Sequence, residues 1–156
     1  KKHTLRKTYI YRILGERLFD HHIWKFDLNS LAGAVSLGLF VAFTPTIPFQ
    51  MLLAAFGAIL LQVNLPVSLA ICWVTNPLTA LPIYLAARQL GQSLLENSQV
   101  LEFVLDFFAF EGRKGRFMEQ GLYLWTGSLI FSIISAFLGN IVIRFVASLC
   151  DWLKSK

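Results

Sequence analysis

From Leu28 to Ala87 the chain carries sixty consecutive positions without an Asp, Glu, Lys, Arg or His. As one straight helix that stretch would be roughly 90 Å long, about three times the hydrocarbon thickness of a bilayer. The chain must therefore fold back on itself. All five prolines fall within the stretch, and three related signals recur there: Thr44-Pro45, Asn64-Leu65-Pro66 and Asn76-Pro77. Thr and Asn suit the N-cap, and Pro suits the first helical turn, where its missing N–H costs nothing. Each signal therefore reads as a helix start. A core helix of a soluble bundle keeps a polar face, and this run has none.

The expected fold class is an all-α integral membrane protein. It has short, proline-broken and in part re-entrant helices, one C-terminal transmembrane helix, and amphipathic flanking helices. Four segments follow from the pattern: 1–27, a basic amphipathic N-terminal segment; 28–95, a proline-broken membrane core; 96–120, an amphipathic helix and charged loop; and 121–156, the C-terminal transmembrane helix and tail.

In the first segment, Tyr9, Ile10, Ile13, Leu14 and Leu18 recur at helical spacing over Thr4–Trp24, with Arg6, Arg12 and Arg17 between them. This fits a helix lying on a membrane surface. In the third, Leu101, Val104, Leu105 and Phe108 form a stripe apart from Glu96, Gln99, Glu102 and Asp106, and residues 111–116 read as a solvated loop. The last uncharged run, Gly121–Ile143, is twenty-three residues long, enough for one crossing. Its Ser128, Ser132, Ser135 and Gly139 share one face, a packing surface of small residues.

Two topologies remain open. Three crossings plus the last helix put both termini on one side, whereas two re-entrant hairpins plus one crossing put them on opposite sides. Charge bears on orientation. Seven of the fourteen Lys and Arg precede Leu28, which assigns the N-terminus to the cytoplasm. The net charge of +5 comes without a basic–aromatic nucleic-acid motif, so anionic membrane lipids, and not nucleic acid, are its expected partners. A chain this small rarely encloses a pathway alone, and a homo-oligomer or a membrane-protein partner is expected.

Candidate chemistry is sparse. Adjacent His21 and His22 would point about 100° apart on a helix and make a poor metal pair. Cys72 and Cys150 lack ligand spacing. Neither uncharged run offers a proton relay, a Ser/His/Asp set or paired carboxylates, so no catalytic residue, metal or cofactor is expected and the chain does not read as an enzyme. What remains at depth is neutral: Thr44, Thr46, Gln50, Thr75, Asn76, Thr79 and Tyr84, with Arg88 as a countercharge beyond them. These side chains cap interrupted helices. With the amides of exposed helix N-termini, they also form a candidate site for an anionic headgroup.

The residues Ile23-Trp24, Gly33-x4-Gly38 with Phe40, Phe43-x-Pro45 with Pro48-Phe49-Gln50-Met51, Asn64-Leu65-Pro66, and Trp73-Val74-Thr75-Asn76-Pro77-Leu78-Thr79 with Pro82 and Tyr84 carry a resemblance. The stretch Trp24–Leu95 resembles the bacterial membrane family known as domain of unknown function 2062. That resemblance implies a multi-pass protein of the bacterial cytoplasmic membrane with no settled activity. The occurrence of some relatives beside glycosyltransferases implies envelope polysaccharide or lipid-carrier work. Two functions are therefore expected as alternatives: transport or handling of a lipid or lipid-linked envelope intermediate, or a non-catalytic membrane scaffold that docks partner proteins.

Overall fold

The computed structural model describes residues 21–107 and 112–155, and its regular elements are all helices, with no strand among these residues. The expected surface helix over Thr4–Trp24 lies outside the described residues except for its last turn, a 3-10 turn at His21–Trp24. Six α-helices follow: α1 (Leu28–Phe43), α2 (Gln50–Leu61), α3 (Leu65–Cys72), α4 (Ala80–Leu95), α5 (Gln99–Phe107) and α6 (Gly112–Lys154). Asp27 caps α1 by accepting from the Ser30 amide. Gln62 closes α2 in the left-handed conformation at φ 53°. Asn64 then caps α3, with Pro66 in the first turn.

Two of the three expected starts fall elsewhere. Thr44 ends α1 instead of opening α2, because its hydroxyl and amide both turn back onto Phe40. The segment 44–49 follows, with a cis Ile47–Pro48 peptide, before α2 begins behind Phe49. Asn76 opens a separate turn, and α4 starts only after Thr79. Residues 112–116 also differ from the loop reading, for they form the first turns of α6. Their Arg and Lys are good helix formers, and nothing there stops the helix.

Contacts between helices set the architecture. α1 and α3 run side by side in the same direction: Asn64 N–H donates to Ser30 O, Gly38 faces Ile71, and Thr75 Oγ1 donates to Ala42 O at 2.6 Å. α2 returns against them, placing Gly57 on Leu37 and Val63 on Gly33. α6 is antiparallel to α1, with Phe131 edge-on to Phe43 at 6.4 Å, Gly139 against Leu39 and Val35, and Asn140 Nδ2 donating to Ser36 Oγ at 3.1 Å. The same helix is antiparallel to α4 at an earlier level, where Ala87 and Gly91 meet Gly127 and Tyr123.

α4 thus continues the direction of α1 and α3 beyond their ends, and Tyr84 Oη donates to Thr44 O across the seam at 3.1 Å. With the Lys25 end as the base, the lower half holds α1, α2, α3 and the C-terminal part of α6. The upper half holds α4 and the N-terminal part of α6. The 43 residues of α6 run roughly 64 Å beside both halves.

The base is tied by Asn64, which is fully buried. Its Nδ2 donates to Lys25 O at 2.8 Å and its Oδ1 accepts from Val67 N–H at 2.9 Å. Asn64→Leu keeps the branched shape but leaves the Lys25 carbonyl and the Val67 amide without their partners. It is expected to cost about 3 kcal/mol, the sum of a lost cap and an unsatisfied group. A melting curve of the purified protein checks this, and an unchanged midpoint contradicts it.

Candidate functional site

The segments 44–49 and 73–79 come together at the seam between the halves. Thr75 is their junction. It is fully buried, its Oγ1 donates to Ala42 O and lies 3.3 Å from Gln50 Oε1, and its carbonyl accepts from Gln50 Nε2 at 2.9 Å. Gln50 reaches it from the first turn of α2, and Tyr84 joins from α4. The side chains of Gln50, Thr75 and Tyr84 are therefore bonded to one another or to the backbone of Ala42 and Thr44.

Asn76 and Thr79 form an interlocked turn beside this junction. Asn76 Oδ1 accepts from the amides of Leu78 and Thr79 at 2.9 and 3.2 Å, while Thr79 Oγ1 accepts from the Asn76 amide at 3.0 Å and donates to Val74 O at 2.6 Å. The Ala80 amide is bonded as well, to Asn76 O. The amides expected to hold an anion behind Pro77 are thus consumed within the turn. Asn76 Nδ2 keeps no hydrogen-bond partner among the described residues.

The open amides lie instead at α2. Its first backbone bond is Leu53 N–H to Phe49 O, and no side chain caps the amides of Gln50, Met51 and Leu52. An uncapped helix N-terminus carries roughly half a positive charge. Close by in sequence, Thr46 Oγ1 is buried without a partner. The α2 amides were not apparent from sequence because Thr44 was expected to cap that helix. Phe49, an apolar residue at the actual capping position, is the signal that marks them.

Arg88 stands apart from the other expected residues. It lies about 13 Å of helix rise beyond Thr79, and its Nε donates to Gln120 on α6. Among the described residues no three His, Cys, Asp or Glu side chains are grouped so as to hold a metal ion.

Among the described residues these features define an all-helical protein with one long apolar C-terminal helix and a neutral polar junction where α1, α2, α3 and α4 meet. The family described as an uncharacterized protein conserved in bacteria, domain of unknown function 2062, matches residues 11–154, and the chain belongs to it. No curated protein and no solved structure matches the chain significantly.

Proposed function

We propose that the chain is an integral protein of the bacterial cytoplasmic membrane that handles a lipid or lipid-linked envelope intermediate, holding its anionic headgroup at the N-terminus of α2. The observation that carries this reading is the depth of the junction. Phe131, which meets Phe43 at the seam, sits beside Ser132, the midpoint of the uncharged run Gly121–Ile143. That run is about 35 Å long, matching a bilayer core. Only 6% of the apolar window of α6 is buried within the protein, which suits a helix facing lipid better than the core helix of a soluble fold. Leu129, Ile133, Ile134, Phe137, Leu138 and Ile141 stand exposed along it, as side chains facing lipid do.

In this placement α1 and α2 form a re-entrant hairpin, α3 and α4 together make one interrupted crossing, and α6 makes one full crossing. Lys25 and the Lys154 end of α6 then share a face. Ten of the fourteen Lys and Arg belong to the segments adjoining that face, and only Arg88, Arg113, Lys114 and Arg116 to the other. The positive-inside rule makes the first face cytoplasmic. Free amides at mid-depth cost several kcal/mol unless bonded, and a phosphate oxygen is a partner of the right charge.

The test is Phe49→Asp, which supplies a carboxylate to cap the same amides and repel an anion. In liposomes reconstituted with the purified protein, the wild-type chain is expected to speed translocation of a fluorescent phospholipid, and the variant to lose at least tenfold of that rate. Absence of translocation by the wild type rejects lipid handling. It would favour a scaffold that docks partners through the exposed Val100, Phe103 and Phe107 of α5.

A further inference from the structure

We infer that the junction is reached from one face of the membrane only, the face opposite the N-terminal segment, so that a polar head bound there enters from that leaflet. The inference rests on the membrane placement proposed above, but not on the chain's moving lipid.

Below the junction the protein is closed. Val41, Ala54 and Cys72 are buried directly beneath it, surrounded by Leu37, Met51 and Leu69. Further down, Ile23, Ala58, Ile59 and Leu65 form a second apolar layer. Of the buried polar side chains of this half, Asn64 and Ser68 are bonded to each other or to Lys25 and Val67, and Ser30 Oγ is buried without a partner. Close-packed apolar layers of this kind stay dry.

Above the junction only α4 and α6 continue. They are paired through Ala87, Gly91, Tyr123 and Gly127, and Tyr84 of α4 reaches back to Thr44 O at the edge of the tip segments. Phe49 is 63% exposed and Leu78 is 85% exposed. Because α2 descends from the tip, its uncapped amides point upward, away from the closed half. Non-helical backbone at membrane depth persists where protein buries it or where it lines a water-filled cavity; Thr44 and Thr75 are buried, whereas Ile47, Phe49 and Leu78 stand exposed above them, and these tips take the second course. The open amides of α2, the Asn76 amide nitrogen and the exposed Phe49 and Leu78 all belong to or adjoin the two tip segments, a combination suited to an amphiphile more than to a bare ion.

The experiment uses single cysteines, Phe49→Cys and Leu78→Cys, at two exposed positions in a Cys150→Ser chain whose Cys72 is buried. A membrane-impermeant charged thiol reagent is applied to right-side-out and inverted vesicles. Both cysteines are expected to react at least tenfold faster from the face opposite the N-terminal segment. Phe137→Cys, on the lipid-facing side of α6, should react from neither face until detergent is added. Reaction of the junction cysteines from the N-terminal face overturns the inference, and so does no reaction from either face when detergent restores it. Lys25→Cys reports separately: labelling from both faces at once would remove the membrane placement itself.

Discussion

Gly127→Leu is expected to separate α4 from α6 and to abolish a monodisperse folded protein. Even a Cβ at Gly127 would overlap the Ala87 carbonyl oxygen and approach the Gly91 amide nitrogen to 2.9 Å, and a Cβ at Gly91 would overlap the Tyr123 carbonyl in the same way. The obstacles are backbone atoms of rigid helices, which cannot turn aside as a side-chain end can. Overpacking a core typically costs 1–3 kcal/mol, and two helices held backbone to backbone should sit at or above about 3 kcal/mol. The readouts are thermal midpoint and size-exclusion profile in detergent. Gly121→Leu is the internal comparison, since nothing lies within 4 Å of its added Cβ. If both variants melt together, the close approach contributes nothing.

Thr75→Val should be the most damaging isosteric change at the junction. It preserves shape, yet removes the donor to Ala42 O and the contact with Gln50 in a fully buried place. Leaving a buried carbonyl without its partner costs about 1–3 kcal/mol, and the Gln50 side chain loses part of its own anchorage. A loss of about 3 kcal/mol is expected, with Thr75→Ser restoring most of it because the hydroxyl returns. A double-mutant cycle with Gln50→Ala should show coupling, as expected for residues that share a hydrogen bond. Equal melting of Thr75→Ser and Thr75→Val would show that packing, not the hydroxyl, holds the seam.

The sequence pattern fixed the helical class because sixty uncharged positions exceed any single helix, and Asn64 announced its cap through the proline two residues later. The small-residue face was legible too: Ser128 and Ser132 are fully buried, and Gly139 packs against α1. What local signals missed was the use to which Thr44 and Asn76 are put. Both are good caps in isolation, but each bonds a different backbone group once the chain turns. Thr44 completes the helix behind it, and Asn76 completes a turn ahead of it. The partner of Arg88 was equally invisible, because Gln120 is thirty-two residues away and only the pairing of α4 with α6 brings it near. The same long-range geometry shows α4 to extend α3 instead of folding back beside it.

The placement of α6 also dictates an order of events during synthesis. Asn140 meets Ser36 across 104 residues of chain, so the outer wall of the α1–α2 hairpin is translated last. At about 5–20 residues per second the ribosome needs roughly 5 to 20 s to cover that gap. Throughout that interval Gly139 and Phe131 have yet to reach Leu39 and Phe43, and the hairpin waits with one flank uncovered. A message truncated upstream of the Phe131 codon therefore yields a chain that never acquires this wall, an orphan for the cell's quality-control proteases to remove.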